Sequence, residues 1–274
     1  MNIKKMTVDE FKDLLILSSK AMLNSYKGKW GDGGIVFDRI EEHEIDNVEF
    51  YFGFLDSEPD TIFLIYRGSD EWKDWKQNFK IWRKLKISNI KKLLLKSERE
   101  KSENFLIAPY ENIESDIRVA RGFIEDFFKV RSFVADKIKR YKILICMGHS
   151  KAHTLAAYTL LDRQYNNPDI KPEYNIGITE GGPRMGNKAF ADSFDKRVPY
   201  FFRIVNGEDY VAKVPLSIQL YWHFGKLIHV GLYNPGCWIP VIRLFGNLYH
   251  YPMKYLKKVM KLSIKRLTKI LQTL

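Results

Sequence analysis

A serine at a sharp junction between a strand and a helix is the first residue of this sequence whose position could support chemistry. Residues 143–147 form an apolar run that predicts a buried strand, and small or apolar side chains recur with helical spacing after Ser150. A serine on such a turn holds its hydroxyl exposed above the sheet, near the positive end of the helix dipole. It could act as a nucleophile while the N–H of Lys151 donates to a developing oxyanion. The alternative is an ordinary serine N-cap.

The residues around Ser150 differ from the common G-x-S-x-G pattern of such serines at one position. The pentapeptide is Gly148-His149-Ser150-Lys151-Ala152, so alanine replaces the last glycine. Alanine is the smallest possible departure, and we expect it to leave room for close packing of the helix on the strand.

A second polar turn follows the aromatic and β-branched run at residues 61–66, which predicts a strand. A glycine followed by a small hydroxyl residue, here Gly68-Ser69, lets the chain turn and leaves N–H groups pointing out of the sheet. The N–H and hydroxyl of Ser69 could form the other half of an oxyanion hole. The alternative is a plain polar turn, and the neighbouring Ser150 motif favours the oxyanion role.

The elements that must position these residues alternate along the chain. Helical spacing predicts helices at residues 8–23 and 115–138, and apolar or β-branched runs predict strands at 48–55, 61–66, 143–147, 174–179, 200–205 and 229–233. Such alternation indicates an α/β fold with a mostly parallel central sheet covered by helices on both faces. The 274 residues, 45% of them hydrophobic, can bury a large core, and no repeat or linker divides them, so we predict a single domain over 1–274.

The formal net charge of +12 suggests an anionic partner, either nucleic acid or an anionic membrane surface. Basic residues concentrate at 73–101 and 254–269, and neither stretch contains a recognisable nucleic-acid-binding module. A nucleic-acid partner is therefore not favoured. The plainer alternative is a solvated basic surface that keeps the protein soluble.

Two segments have features of surface-binding elements. Residues 72–103 are rich in lysine and carry aromatic side chains at helical intervals, so they predict either a mobile lid over the site or a basic helix that packs its tryptophans into the core. Residues 253–274 contain seven basic and no acidic residues, with apolar residues every three or four positions. They predict a basic amphipathic helix that either lies on an anionic membrane or packs on the domain.

The expected location is intracellular, either soluble or peripherally associated with a membrane. Residues 1–10 lack the long apolar core of a signal peptide, and no apolar run approaches the length of a transmembrane helix. The two cysteines do not predict a disulfide framework. The oligomeric state is not predicted.

Five segments, in the right order, resemble motifs of the class 3 (fungal-type) lipase family, which has the α/β-hydrolase fold. They are Y-R-G-S at 66–69, V-A-R-G-F at 119–123, G-H-S at 148–150, G-G-P-R-M-G-N at 181–187 and R-I-V-N-G-E-D-Y-V at 203–211. The resemblance covers most of the chain. The main departure is Lys151-Ala152-His153, where the family usually has L-G-G, and we expect the bulkier His153 to change the packing beneath the serine turn.

The resemblance implies a Ser-Asp-His triad. In this fold the chain order is serine, acid, histidine, so Ser150 would be the nucleophile and Asp209, which matches the family's aspartate, the acid. Three histidines follow Asp209, at positions 223, 229 and 250. We favour His250 as the base because it lies in a loop before a predicted helix, as in bacterial and viral members of the family. The alternative base is His229.

The implied activity is hydrolysis of carboxylic esters, in lipids or small esters, by a lipase or esterase that forms an acyl-enzyme. The oxyanion would be held by Ser69 and the N–H of Lys151, and no metal or organic cofactor is needed. The alternative is a catalytically impaired hydrolase-fold protein that binds anionic membranes.

Overall fold

The structure, a computed structural model, describes residues 1–28, 30, 36–68, 105–107, 117–207, 209–215, 220–231 and 250–273. The predicted lid at 72–103 lies entirely outside these residues, and so does Ser69.

The strands are β1 Arg39–Ile45, β2 Val48–Phe54, β3 Thr61–Tyr66, β4 Phe105–Ile107, β5 Arg118–Ala120, β6 Ile143–His149, β7 Asn175–Glu180, β8 Phe201–Asn206 and β9 Lys226–Val230. The α-helices are α1 Val8–Lys27, α2 Arg121–Ile138, α3 Ala152–Asn166, α4 Lys188–Arg197, α5 Pro252–Val259 and α6 Ile264–Leu271. Short 3-10 helices span Ile3–Lys5, Pro172–Tyr174 and Val211–Lys213.

Within the described residues, seven strands form one sheet in the order β1-β2-β3-β6-β7-β8-β9. The pairs β1/β2 and β2/β3 are antiparallel, whereas β3, β6, β7, β8 and β9 are parallel neighbours. The register aligns Tyr66 with Gly148 and His149 with Glu180. The carboxyl ends of β3, β6, β7 and β8 therefore meet at one edge of the sheet, which is where open α/β sheets place their sites.

Helices cover both faces of this sheet, as predicted. On one face, α2, α3 and α4 bury apolar side chains such as Phe127 and Phe190 against the strands. On the other face, α1, α5 and α6 do the same with residues such as Phe11 and Val259. Every residue of β6 is buried, which explains why its sequence is a continuous apolar run rather than an alternating one. The predicted α/β class with a mostly parallel, covered sheet is confirmed; the single-domain organisation stays a prediction.

Helix α1 begins at a capping box formed by Thr7 and Glu10. The hydroxyl of Thr7 accepts the N–H of Glu10 at 3.2 Å and the Glu10 carboxylate accepts the N–H of Thr7 at 2.7 Å, which is a complete capping box. The helix ends at Gly28 in the left-handed conformation, φ 60°.

The edge strand β1 was not predicted from the sequence. Its residues are mostly charged or polar and only partly buried, so they lack the apolar run by which the other strands of this sheet were found. The short strands β4 and β5 were not predicted either, and β5 occupies the start of the helix predicted over 115–138, which begins at Arg121. Glu41 forms ion pairs with Arg39 at 2.6 Å and Lys137 at 2.6 Å. Charges of this kind protect an exposed sheet edge from pairing with another chain.

The C-terminal stretch is two helices in the structure, not the single helix predicted over 253–274. After Val259 the backbone bonds shorten to three-residue spacing, from Lys261 to Lys258 and from Leu262 to Val259, and α6 begins after Ser263. The buried residues Tyr255, Val259 and Leu262 are four and three positions apart, which places them on one face of a helix. Leu267 comes five positions after Leu262, so in a continuous helix it would lie on a different face. The break allows Leu262 and Leu267 both to be buried.

Candidate functional site

Ser150 occupies the turn between β6 and α3 in a strained backbone conformation. Its φ is 60°, in the left-handed region that non-glycine residues seldom adopt. The turn is held in place because the Ser150 N–H donates to the carbonyl of Glu180 at 2.9 Å, while the Ser150 carbonyl accepts the N–H of His153 at 3.1 Å. Strain of this kind persists only where the surrounding structure fixes it, and it is concentrated at functional sites.

The hydroxyl of Ser150 is not exposed as the sequence led us to expect. Ser150 is only 3% exposed, because the imidazole of His250 lies against it, with Nε2 2.9 Å from Oγ. His250 comes immediately before α5, 100 residues beyond the serine.

The second nitrogen of His250 contacts Asp209. Nδ1 lies 2.8 Å from Oδ2 of the carboxylate. A carboxylate only accepts hydrogen bonds, so Nδ1 carries the hydrogen and, in the neutral ring, Nε2 presents a lone pair to the serine hydroxyl. The structure therefore joins Ser150, His250 and Asp209 in one chain of hydrogen bonds, which we call the site cluster.

The carboxylate of Asp209 is fully buried and is held from three sides. Besides His250, it accepts the hydroxyl of Tyr255 on Oδ2 and the N–H of Val211 on Oδ1, the latter at 2.9 Å. Burial, followed by the negative charge of Asp209, raises the pKa of Tyr255 well above its ordinary range, so the phenol keeps the proton that it donates. Tyr255 follows His250 closely in the sequence, but the pattern alone did not assign it this contact.

A second histidine fixes the main chain of His250. Nε2 of His149 lies 2.6 Å from the carbonyl oxygen of His250, and its Nδ1 lies 3.1 Å from the hydroxyl of Tyr26 in α1. Burial, and next the charge of His250, lower the pKa of His149 well below its ordinary value, so the ring is neutral. Because a carbonyl can only accept, Nε2–H of His149 donates to it and Tyr26 donates to Nδ1. No local sequence signal links Tyr26 to residues so distant in the chain.

A buried carboxyl group lies directly behind the serine turn. Glu180 is 0% exposed, and its Oε1 accepts the hydroxyl of Ser19 in α1. Burial raises the pKa of Glu180 to about 8, so it is uncharged at neutral pH. The main-chain carbonyl of this same residue holds the N–H of Ser150, so Glu180 links α1 to the turn.

His153, which replaces a glycine of the family pattern, fits because a glycine lies opposite it. A Cβ added at Gly182 would lie 2.2 Å from Cγ of His153. The imidazole stacks on Phe224, with ring centres 5.3 Å apart, and its Nδ1 lies 2.9 Å from the hydroxyl oxygen of Thr179. Burial lowers the pKa of His153 to about 3, so it is a neutral packing group.

Of the two residues predicted to form an oxyanion hole, the structure describes Lys151 but not Ser69. Within the described residues, the N–H of Lys151 has no hydrogen-bond acceptor, and it lies at the N-terminal end of α3. Ser69 lies outside the described residues. Its neighbour Gly68 approaches the turn so closely that an added Cβ would be 2.6 Å from the carbonyl oxygen of His149.

His229, the alternative base, is not brought to the site cluster. It lies in β9, opposite Val205, and its Nε2 is 3.0 Å from the carbonyl oxygen of Gly207. No hydrogen bond joins it to Ser150 or Asp209, both of which the structure describes.

The described part of the chain contains no group of three or more His, Cys, Asp or Glu side chains placed to hold a metal ion. Among the helices described, none is both long enough and apolar enough to cross a bilayer.

The sequence model of one family, Lipase (class 3), matches residues 63–218, more than half of the 274 residues. The chain belongs to the class 3 lipase family. The match contains Ser150 and Asp209 and ends before His250. The family resemblance drawn from the five motifs is therefore confirmed.

Among the relatives of this class 3 lipase chain is secreted mono- and diacylglycerol lipase 3 of Gibberella zeae, 32% identical over 112 residues that cover 40% of this chain and 35% of that protein. A lipase of Rhizomucor miehei is 26% identical over 179 residues, covering 62% of this chain and 42% of that protein. The chain thus spans well under half the length of these two relatives.

Solved structures of lipases share the fold. A fungal lipase–inhibitor complex, described as a model for interfacial activation, superposes with a TM-score of 0.66 at 19% identity, covering 90% of this chain and 96% of that one. A triacylglycerol lipase with a serine protease triad gives a TM-score of 0.61 at 21% identity, covering 82% of both chains. These likenesses show that the class 3 lipase chain has the α/β-hydrolase fold.

The predicted intracellular location is contradicted by the relatives. The proteins matched in Gibberella zeae and Malassezia restricta are named as secreted lipases. The prediction was based on the absence of an apolar leader in residues 1–10, and an absence of that kind does not determine where a protein acts.

Proposed function

We propose that this class 3 lipase chain is a serine hydrolase that cleaves carboxylic esters of lipids through an acyl-enzyme. The observation that carries the proposal is the hydrogen-bonded cluster in which His250 lies 2.9 Å from the Ser150 hydroxyl and 2.8 Å from the Asp209 carboxylate. These are the distances and chemical roles of a nucleophile, a general base and an orienting acid. The family membership and the names of the relatives support the substrate class.

The proposed reaction has two steps. In the first, Nε2 of His250 takes the proton of Ser150 as Oγ attacks the ester carbonyl, and the imidazolium that forms is stabilised by Asp209. The same histidine then protonates the leaving alcohol, which departs and leaves the acyl group on Ser150. In the second step, His250 activates a water molecule that releases the acid and restores the serine.

We propose the N–H of Lys151 and the N–H or hydroxyl of Ser69 as donors to the oxyanion. The N–H of Lys151 is at a helix N-terminus, where backbone donors and the helix dipole both favour negative charge. The close approach of Gly68 to His149 supports a contribution from the adjacent Ser69. Removing one such donor costs about 10²- to 10³-fold in kcat in enzymes of this type.

The test is hydrolysis of p-nitrophenyl esters of short and long acyl chains by the wild type and by Ser150→Ala, His250→Ala and His229→Ala. We expect the first two variants to lose activity and the third to retain it, because the ring of His229 is bonded to the carbonyl of Gly207 whereas His250 is bonded to both Ser150 and Asp209. Loss of activity in His229→Ala with full activity in His250→Ala would contradict the assignment of the base. Hydrolysis that persists in Ser150→Ala would contradict the proposed nucleophile.

An impaired hydrolase that serves only to bind membranes is not favoured. A protein without catalysis would not need the strained φ of Ser150 or the two aligned hydrogen bonds of His250.

We also propose that the C-terminal helices bring the site to an anionic lipid surface. Seven basic side chains of α5, α6 and the turn between them are exposed, and we call them the basic face: Lys254, Lys257, Lys258, Lys261, Lys265, Arg266 and Lys269. Residues 250–273 include no acidic residue. Within the described residues no ion pair neutralises the basic face, whereas Lys139 and Lys188 elsewhere are each paired with an aspartate.

Apolar side chains are exposed among these charges. Tyr251 is 60% exposed, Met253 38%, and Met260 and Ile264 53% each, and the first two lie within three residues of His250. Lysines together with exposed apolar side chains on a short helical unit are typical of binding in the interfacial plane of an anionic membrane. The opposite side of the unit, with Val259 and Leu267, is buried against the domain.

Binding to vesicles tests this second proposal. With phosphatidylserine in phosphatidylcholine vesicles, we expect the variant with Lys257, Lys258 and Lys261 changed to glutamine to bind about 10- to 100-fold more weakly than the wild type. The matched control changes Lys139, Arg140 and Lys142 to glutamine. These three cations are also exposed but lie just before β6, outside the basic face, so the control should bind like the wild type. Equal loss in both variants, or equal binding to vesicles without phosphatidylserine, would contradict a specific basic face.

A further inference from the structure

The side chain of Lys151 forms an ion pair that the usual leucine of the family pattern could not form. Its Nζ lies 2.5 Å from Oδ2 of Asp126 in α2. Both side chains are largely covered, with 19% and 17% of their surfaces exposed. The pair therefore joins the residue immediately after Ser150 to a separate helix.

Asp126 is itself firmly placed. Its neighbour Phe127 is 1% exposed and packs against Tyr158 of α3, with ring centres 5.6 Å apart. Helix α2 is thus held against α3, the helix that the Ser150 turn begins. A side chain tied to Asp126 is tied to a rigid part of the domain.

The carboxylate of Asp126 also binds a second cation. Lys129, one turn further along α2, places its Nζ 2.6 Å from Oδ1. Burial alone would raise the pKa of Asp126, but the hydrogen bonds and charges of Lys129 and Lys151 outweigh it and leave the pKa below its ordinary value. The carboxylate is therefore charged at neutral pH, and its two oxygens hold one lysine each.

The backbone at Lys151 needs such an anchor. The φ of 60° at Ser150 is a strained conformation for a residue with a Cβ. The N–H of Lys151 belongs to the peptide between Ser150 and Lys151, and rotation of that peptide would turn the N–H away from the substrate carbonyl. The carbonyl of that peptide is held by the N–H of His153 at 3.1 Å. The Lys151 side chain makes no capping bond to α3, and its ion pair with Asp126 restrains Lys151 from the other side of the peptide.

We propose that Asp126 and the side chain of Lys151 are positioning residues that hold the N–H of Lys151 toward the oxyanion. This inference rests on the proposed function, since it concerns the same oxyanion site. It predicts that breaking the pair lowers kcat and leaves KM unchanged, because the N–H acts on the transition state and not on the bound ester.

The experiment measures kcat and KM for p-nitrophenyl ester hydrolysis by Asp126→Asn, Lys151→Met and the double variant, with melting temperatures alongside. We expect each single variant to lose about 10-fold in kcat with KM within about twofold of the wild type. The double variant should be no worse than either single one, since the two side chains act through one contact. Lys129→Met is the matched control, because it removes the other cation from Asp126 without touching the turn; it should keep the wild-type kcat.

Wild-type kcat in both single variants, together with an inactive Ser150→Ala, would overturn the inference and leave the proposed function standing. Losses that simply multiply in the double variant would also overturn it, because the residues would then act separately. A wild type that hydrolyses no ester would overturn the proposed function and this inference with it.

Discussion

The site cluster and the basic face use polar groups in opposite ways. In the cluster, the ionisable groups are buried and paired: Asp209 is 0% exposed and accepts three hydrogen bonds, and His250 contacts a partner through each ring nitrogen. On the basic face, seven cations are exposed and none of them forms an ion pair within the described residues.

The two arrangements suit different tasks: buried, paired groups hold a reactive geometry, and exposed, unpaired charges can bind an oppositely charged surface. Buried polar groups with fixed partners keep one another in a defined geometry. Removing one partner lowers the free energy of unfolding, because the other is left buried without a hydrogen bond. Exposed cations without partners contribute little to folding and remain available to an anionic surface. The same kind of substitution should therefore have large effects in one region and almost none in the other.

The largest effect is expected from Asp209→Asn. The amide can donate as well as accept, so it no longer fixes the hydrogen on Nδ1 of His250, and kcat should fall by about 10³- to 10⁴-fold. Steady-state hydrolysis of a p-nitrophenyl ester measures the loss. Asp162→Asn is the control, since Asp162 is also buried and bonded, to Nε of Arg131 at 2.9 Å, but lies at the far end of α3. Equal kcat losses in the two variants would contradict a specific role for Asp209.

Glu180→Gln should change how stability depends on pH. The folded protein holds the Glu180 proton up to about pH 8, whereas the unfolded chain releases it near 4.5. Between these values the folded state binds more protons, so rising pH lowers the free energy of unfolding by up to about 1.4 kcal/mol per pH unit. Glutamine removes this contribution, and the variant should gain stability relative to the wild type as pH rises toward 8.

Urea unfolding at several pH values between 5 and 8 measures the Glu180 contribution. The control is Glu44→Gln on β1, which makes the same chemical change at an exposed position. If the free energies of unfolding of Glu180→Gln and the wild type differ by the same amount at every pH in this range, the buried carboxyl does not titrate as described.

A smaller effect is expected from Tyr26→Phe. The variant leaves Nδ1 of buried His149 without its donor, which costs about 1–2 kcal/mol of stability and loosens the main chain of His250. We expect kcat to fall several-fold. Tyr66→Phe is the matched control, because it removes a 2.8 Å bond between a buried tyrosine and Thr159, a residue outside the cluster. It should lower stability by a similar amount with kcat unchanged; a similar kcat loss would mean that the Tyr26 effect is general.

The smallest effect is expected on the basic face. Changing Lys257, Lys258 and Lys261 to glutamine should alter the free energy of unfolding by less than about 0.5 kcal/mol and leave hydrolysis of a soluble ester unchanged, because no partner is lost. Thermal unfolding and the p-nitrophenyl assay measure both. A large loss of stability would show that these lysines stabilise the folded protein, and would contradict the contrast between the two regions.

The elements that could be predicted from the sequence are those whose signal is local. Strand β6 and helix α1 follow from an apolar run and from helical spacing, and the cluster residues Ser150 and Asp209 were named from family motifs. Strand β1 was missed because an edge strand needs few apolar residues. The break between α5 and α6 was missed because it depends on which residues the domain buries, and that is decided by packing against α1.

The contacts that hold the site were beyond sequence reasoning for the same reason. Tyr26 meets His149 across 123 residues, and Lys151 meets Asp126 on another helix. Neither Tyr26 nor Asp126 is distinguished from other polar residues in its own stretch of sequence. The compensation of His153 by Gly182 is of the same kind, since neither residue predicts the other until β6 and β7 lie side by side.

The central claim is that Ser150 is a nucleophile activated by the cluster, and its most direct test is labelling with a fluorophosphonate followed by peptide mass spectrometry. The account predicts one adduct per chain, located on Ser150, with hydrolysis lost in proportion to labelling and with labelling strongly slowed in His250→Ala. An adduct on another residue, or no adduct on a folded protein that still hydrolyses esters, would contradict the account.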